Sequence, residues 1–201
     1  MTADRTKALK IIIIGSIAVG KTALLNRYIN NRYKSDYQCT LGVNVLTKHI
    51  TVDNVTVKLL IWDTGGQERF KALVSSFFKG SDGCLLVFDV TNRDSFHAME
   101  GWRDMVLANV PAEQEDFPLA VLGNKMDLSD REVTTEEAET WSHSRNIPYY
   151  EVSAKEGTSV SEAFDGIARI ALSQISEGKD FYLTNSISLG DGDSAERKKC
   201  C

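Results

Sequence analysis

Only four cysteines occur in this 201-residue chain, and their placement excludes a disulfide framework. Cys39 and Cys84 stand far apart, while Cys200 and Cys201 are the last two residues. None has a histidine at metal-ligand spacing, so a reducing, cytosolic compartment is expected. No apolar run approaches the ~20 residues that a bilayer-spanning helix needs; the longest purely aliphatic stretch is Ile11 to Ile14. The N-terminal basic residues are not followed by a continuous apolar segment of signal-peptide length. An excess of positive charge is also missing. The net charge is −5 and the pI about 5.3, so the field of the whole molecule does not favour nucleic acid. No internal repeat is present.

What the chain does contain is an ordinary globular composition, 42% apolar and 25% charged, in a length that suits one domain and a tail. Short apolar runs alternate with longer helical patterns. This predicts an α/β fold, a doubly wound sheet of about six strands with helices on both faces. Strands are expected at Leu9–Ile14, Val43–Val52, Val55–Asp63, Cys84–Asp89, Leu119–Asn124 and Tyr149–Ser153. Asp53-Asn54 is a hairpin signal, which makes one antiparallel pair at the edge of an otherwise parallel sheet. Helices are expected at Lys21–Asn31, Ser95–Asn109, Thr134–Ser144 and Ser159–Ser176, with Thr134 and Glu137 as a capping box. From Glu177 the periodicity gives way to Gly, Ser, Asn and charge. The expected division is a flexible N-terminus at 1–7, one domain at 8–176 and a flexible tail at 177–201.

Gly15-Ser16-Ile17-Ala18-Val19-Gly20-Lys21-Thr22 matches G-x-x-x-x-G-K-[ST] at every fixed position, after a strand and before a helix. Such a loop wraps an anionic phosphate with backbone N–H groups and a helix N-terminus. Ser16 to Ala23 form the expected phosphate cradle. Lys21 reaches the β- and γ-phosphates, and the Thr22 hydroxyl suits Mg²⁺, which prefers oxygen ligands. Further on, Asp63-Thr64-Gly65-Gly66-Gln67 ends a strand. Asp63 can hold the metal through water, Gly66 can bring a backbone N–H to a γ-phosphate, and Gln67 can orient an attacking water. D-x-x-G-Q alone is more often a plain strand-to-loop turn; its position after the phosphate loop raises it.

Asn124-Lys125-Met126-Asp127 follows a buried strand and selects the base. The Asp127 carboxylate can accept from both N1–H and the 2-amino group of guanine, whereas adenine would leave it repelled and unpaired. Ser153-Ala154-Lys155, after the last strand, supplies a second loop to the same base. The ligand is therefore expected to be GTP or GDP with Mg²⁺. An ATP-using P-loop enzyme is the reading that Asp127 opposes.

Taken in order, these elements resemble the Ras superfamily of small GTPases over residues 8–175. Within it the chain looks most like a Rab protein, through Thr40-Leu41-Gly42-Val43, Lys58 to Asp63, Gln67-Glu68-Arg69-Phe70, Leu86 to Thr91 and the terminal Cys200-Cys201. Phe117 to Lys125 and Asn146 to Glu151 resemble the late-endosomal and lysosomal Rab branch. The resemblance implies that Tyr33 stacks on the guanine, that Tyr37 closes over the phosphates, and that Thr40 joins Thr22 and Asp63 at Mg²⁺ in the GTP state. It also implies a second switch from Gly65 to Ser76, ordered by GTP and released after hydrolysis. Implied partners are an exchange factor, an activating protein, a prenyl carrier or dissociation inhibitor, and effectors on the cytoplasmic face of endosomal, lysosomal, vacuolar or phagosomal membranes.

Four positions depart from the family pattern. Ile17 and Ala18 replace smaller residues; Ile17 could crowd Gln67, and Ala18 costs about 1 kcal/mol or more if its position needs positive φ. Gly65 replaces Ala, and Val45 stands where an effector-facing Phe is usual, beside Trp62 and Phe77. Those three are either sheet core or an exposed patch that recruits effectors. Cys39 is either a small filler or a redox-sensitive thiol. Arg69 is either a switch-loop ion pair or a surface residue. Cys200 and Cys201 are either two plain exposed thiols or, as the resemblance implies, two prenyl acceptors, and two prenyl chains would give the two anchoring signals that stable membrane attachment needs. The tail itself, with four basic and five acidic residues over 177–201, adds little electrostatic attraction. The resulting expectation is slow GTP hydrolysis assisted by Gln67 and Lys21. The competing one is a GTP-dependent binding module with negligible hydrolysis.

Overall fold

The computed structural model describes residues 7–34, 40, 42–64, 77–110 and 116–178, with the backbone alone at 176–178. Six strands, β1 (Lys7–Ile14), β2 (Val43–Val52), β3 (Val55–Thr64), β4 (Gly83–Asp89), β5 (Leu119–Asn124) and β6 (Tyr149–Val152), form one sheet in the order β2-β3-β1-β4-β5-β6. All neighbours run parallel except β2 and β3. The turn between these two is Asp53-Asn54 at φ 48° and 65°, both left-handed, as a tight hairpin requires.

Among the described residues five helices of five residues or more pack on the sheet: α1 (Lys21–Asn30), α2 (Arg93–His97), α3 (Met99–Leu107), α4 (Thr135–His143) and α5 (Val160–Gly178). The Ile11 to Ile14 run shows why both faces need cover. Alternation sends Ile11 and Ile13 into a core with Leu24, Leu25, Phe164 and Ile167 from α1 and α5. Ile12 and Ile14 join the opposite core with Phe96, Met99, Trp102 and Ala138 from α2, α3 and α4. A strand buried on both sides reads as an unbroken apolar run.

The single helix expected at Ser95–Asn109 is two. It starts earlier, because the Asn92 side chain accepts from Ser95 N–H and caps α2, and it divides at Ala98. Thr134 caps α4 by accepting from Glu137 N–H at 3.1 Å. α5 continues to Gly178, two residues past its expected end. No helix among the described residues is long and apolar enough to cross a membrane.

The order of strands matters for the site. β1 lies between β3 and β4, so the crossovers leave it on opposite sides. In open α/β sheets ligands gather at the strands' carboxyl ends beside such a switch point. The carboxyl ends of β1, β3, β4, β5 and β6 all lie on that side.

Candidate nucleotide site

The loop from β1 to α1 is shaped by its two fixed glycines. Gly15 has φ 146°, and a Cβ there would stand 2.1 Å from the Val87 carbonyl oxygen. Gly20 has φ 96°, and its Cβ would stand 2.3 Å from Asn124 Nδ2. Neither position tolerates a side chain. Lys21 is buried and folds back over the loop, donating to the Gly15 carbonyl at 2.8 Å and the Ser16 carbonyl at 2.7 Å. Unlike α2 and α4, α1 has no side-chain cap, and its first turn carries no acidic residue. Its leading N–H groups therefore take no acceptor from a capping side chain or a first-turn carboxylate. Val19 is buried, Ile17 is 47% exposed, and Ala18 has φ 63°. Ala18 therefore does occupy the left-handed region that its β-carbon disfavours.

Three oxygens converge beside this loop from three elements. Thr22 Oγ1 on α1 donates to Asp63 Oδ2 of β3 at 2.6 Å and lies 2.8 Å from Thr40 Oγ1. Asp63 is fully buried, and its Oδ1 has no hydrogen-bond partner among the described residues. Burial pushes the Asp63 carboxyl up, while the Thr22 hydrogen bond and the charge of Lys21 pull it back. A buried carboxylate oxygen left open beside two hydroxyls is costly unless something binds it. The donor set is hard and oxygen-only. Among the described residues no group of three His, Cys, Asp or Glu side chains forms a metal cage. One carboxylate with two hydroxyls fits Mg²⁺, which keeps several waters and takes substrate phosphates as its other ligands.

The loops after β5 and β6 are tied together and to the phosphate loop. Asn124 Nδ2 donates to the Val19 carbonyl at 2.8 Å, and its Oδ1 accepts from Ala154 N–H at 3.2 Å. One amide thus joins all three loops. Ser153 Oγ donates to Asp127 Oδ1 at 2.6 Å, which fixes that carboxylate, and Lys155 Nζ lies 3.8 Å from its other oxygen. Lys125 sits at φ 67° with Nζ 2.5 Å from Asp89 Oδ2. Tyr33 is 41% exposed.

Asp89 was not among the residues singled out by chemistry. It stands in the expected Cys84–Asp89 strand and in the Leu86 to Thr91 stretch of the family resemblance, and nothing in its spacing from Lys125 marks the pair. The register does, since Asp89 lies opposite Asn124. Trp102 is another such residue: its indole N–H donates to Ser16 Oγ at 3.4 Å from beneath the phosphate loop.

Val45, Trp62 and Phe77 are neighbours. Val45 pairs with Trp62 across β2 and β3, and the Trp62 and Phe77 rings lie 5.7 Å apart. Val45 is 43% exposed, whereas Trp62 and Phe77 are half-buried against the second core. The trio is therefore neither wholly core nor wholly surface. Tyr37, Cys39, Gly65, Gly66, Gln67, Arg69, Cys200 and Cys201 lie outside the described residues, as does the whole segment 65–76. A cavity of about 310 Å³ between α3, β5 and α5, lined by Arg103, Phe117, Arg145 and Ile170, shares no residue with this site.

The Ras family model matches residues 10–173 of the chain. The chain is 50% identical over 193 residues to Ras-related protein Rab-7b of Bos taurus, and 48% identical over the same length to the Homo sapiens protein of that name; each alignment covers 96% of both sequences. It is 45% identical over 195 residues to Ras-related protein Rab7 of Drosophila melanogaster, covering 94% of this chain and 93% of the other.

Proposed function

The chain belongs to the Ras family as a Rab-type GTPase, and from that premise we propose a guanine-nucleotide switch that binds GTP or GDP with Mg²⁺ and recruits effectors in its GTP state. The observation that carries this reading is the Asn124 amide. It binds the loop that follows β1 and the loop that follows β6 at once, so a phosphate subsite and a base subsite lie on one rigid frame.

In this reading Asp127, oriented by Ser153, accepts from the two N–H edges of guanine, and Ala154 and Lys155 line the same base. Lys125 flanks the ring on one side and Tyr33 the other. The loop N–H groups from Ser16 to Ala23, with the Lys21 ammonium, hold the phosphates. Thr22, Thr40 and Asp63 hold Mg²⁺, which when bound draws charge off the phosphate oxygens. Gln67 positions the attacking water in line, and Gly66 offers its N–H to the γ-phosphate. Tyr37 covers the phosphates. Thr40 then connects ligand state to the first switch segment, because its hydroxyl reaches the same cluster as Thr22 and Asp63.

In this reading the sequence itself assigns no arginine to the γ-phosphate, and intrinsic turnover is slow. An activating protein that inserts one adds roughly 10³–10⁵-fold. An exchange factor, a prenyl carrier or dissociation inhibitor, and two prenyl groups on Cys200 and Cys201 complete the cycle between cytosol and membrane. Relatives named Rab-7b and Rab7, together with the sequence resemblance, favour endosomal and lysosomal traffic.

A second reading has its own support in the exposed Ile17 and the strained Ala18. A loop crowded there could bind GTP yet hydrolyse it negligibly. Single-turnover phosphate release from the GTP-loaded protein, beside Gln67→Leu, separates the two. Slow release that nearly vanishes in Gln67→Leu supports the hydrolysing switch. Tight GTP binding with no release from either protein leaves the binding module.

A further inference from the structure

Arg27 lies one and a half turns into α1, away from the residues that define the phosphate loop. Its guanidinium nevertheless spends every nitrogen on backbone and cap groups. Nε donates to the Ala154 carbonyl at 2.8 Å and Nη2 to the Lys155 carbonyl at 2.5 Å. Nη1 donates to the carbonyl and the side-chain oxygen of Asn31, both at 3.2 Å. The loop after β6 closes around this fork. A Cβ on Gly157, at φ 87°, would stand 3.4 Å from Arg27 Cδ, and Gly157 N–H in turn donates to the Ser153 carbonyl at 2.8 Å.

The plain account is a helix cap, and it explains only part of this. The end of α1 is already closed by Asn31, whose own N–H donates to the Arg27 carbonyl at 3.0 Å. The Nε and Nη2 bonds serve no helix end. They run 127 and 128 residues along the chain to the loop that carries Ser153, Ala154 and Lys155. A planar fork meets these two carbonyls and Asn31 from three separate nitrogens, a spread that a single ammonium nitrogen does not reproduce.

We propose that Arg27 is a positioning residue for base recognition: its guanidinium fixes the 153–155 loop against α1, so that guanine discrimination depends on the same helix that presents Lys21 and Thr22 to the phosphates. The inference rests on the nucleotide site proposed above and adds to it a second strut. Asn124 joins the loops near their centre, while Arg27 joins them from the rear. The loop it holds also carries Ser153, which orients Asp127. Releasing the loop therefore loosens the grip on the guanine edge before it disturbs the phosphates. Nucleotide exchange then requires α1 and the 153–155 loop to part.

The test uses the full chain with Mg²⁺ and ribose-labelled fluorescent GDP and IDP, whose hypoxanthine lacks the 2-amino group that Asp127 accepts. Arg27→Met keeps the aliphatic stem and removes both carbonyl bonds; Arg27→Lys returns the positive charge and an ammonium donor group without the planar fork. Arg27→Met is expected to speed GDP release roughly tenfold, with IDP release raised less, so that the GDP-to-IDP preference falls. Arg27→Lys is expected to lie between it and the unaltered protein. Unchanged release from Arg27→Met, or equal acceleration for both nucleotides, would overturn the proposal in favour of a purely structural arginine. Failure of both variants to fold would do the same. If the unaltered chain failed to bind GDP, the nucleotide-site reading itself would fall, and the inference with it.

Discussion

The carboxylate of Asp89 holds the ammonium of Lys125 at 2.5 Å across the carboxyl ends of β4 and β5. Its other oxygen accepts from the Thr91 N–H at 2.9 Å and the Thr91 hydroxyl at 2.7 Å, so the carboxylate is fixed before it meets the lysine. Lys125 needs such an anchor. It sits at φ 67°, a left-handed conformation that side chains with a β-carbon adopt at a cost. The Asp89 side chain is 8% exposed and that of Lys125 33%, which places the pair between a screened surface bridge and a buried one. Asp89→Asn keeps the contacts to Thr91 and removes the charge. We expect GDP release from this variant to quicken about three- to tenfold, corresponding to roughly 0.7–1.4 kcal/mol. Stopped-flow release at two salt concentrations checks it. An unchanged rate at low salt would mean that Lys125 is held by its backbone alone.

That pair also shows where sequence reading ends. The phosphate loop, the strand that precedes it and Asn124 with Asp127 were legible because each is a short motif with fixed internal spacing. The Leu9–Ile14 segment was legible as one strand of a sheet with helices on both faces. By contrast Asp89 and Lys125 are 36 residues apart, and Arg27 and Ala154 are 127 apart. Only strand order brings them together, and no local pattern encodes it. The division of the 93–107 helical stretch at Ala98 was missed for a related reason. Its apolar spacing continues through the break, and the signal for the early start was one side chain, Asn92, acting as a cap. Val45 and Trp62 illustrate the remaining gap. Their pairing follows from the hairpin, yet the exposure of one and half-burial of the other depends on what packs beneath β3.

The Thr22, Thr40 and Asp63 cluster predicts how metal and nucleotide release are linked. If this cluster holds Mg²⁺ as proposed, chelation by EDTA is expected to accelerate GDP release from the unaltered protein by at least about tenfold, because charge on the phosphates would then be opposed by Lys21 and loop N–H groups alone. Thr22→Ala removes the hydroxyl that bridges Asp63 and Thr40. Its GDP release in Mg²⁺ should already approach the EDTA rate, with little further response to chelation. A variant that kept the full EDTA response would show that Thr22 is dispensable to the metal.

Glu151 on β6 gives the fold a defined acid sensitivity. Burial pushes its carboxyl up, but hydrogen bonds from Arg131, Thr135 and Tyr149 outweigh this and leave it below its ordinary value of 4.5. Arg131 Nη1 and Thr135 Oγ1 meet Glu151 Oε1 at 2.7 and 2.8 Å, and Tyr149 OH meets it at 3.0 Å. A carboxylate with a depressed folded-state pKa contributes stability that is present above its unfolded value and lost as pH falls through the folded one. Glu151→Gln should therefore cost stability at pH 7, on the order of 1–3 kcal/mol for a half-buried charged network. The gap between the two proteins should narrow as pH drops below 4.5. Urea unfolding of the GDP-loaded forms at pH 7, 5 and 4 measures it. A difference independent of pH would assign the cost to packing rather than charge.

Val45 and Trp62 separate the surface and core roles of the patch they share. Val45 is 43% exposed on β2, an edge strand, so Val45→Ser removes little buried area and should change stability by no more than about 0.5 kcal/mol. Trp62 is packed on Phe77, has the Lys10 ammonium 4.4 Å from its ring centre, and rests against the second core. Trp62→Ala should consequently cost about 2–4 kcal/mol, less than a fully buried indole because the ring is only half covered. This difference decides which variant can test effector recruitment. A loss of binding in Trp62→Ala could come from a loosened sheet, whereas in Val45→Ser the sheet stays intact. If the patch recruits effectors, Val45→Ser in the GTP-loaded protein should weaken binding several-fold while its melting temperature stays within a few degrees. Full affinity in Val45→Ser, with a large drop in the melting temperature of Trp62→Ala, would make the trio a packing feature. Effectors would then have to be read by another part of the surface.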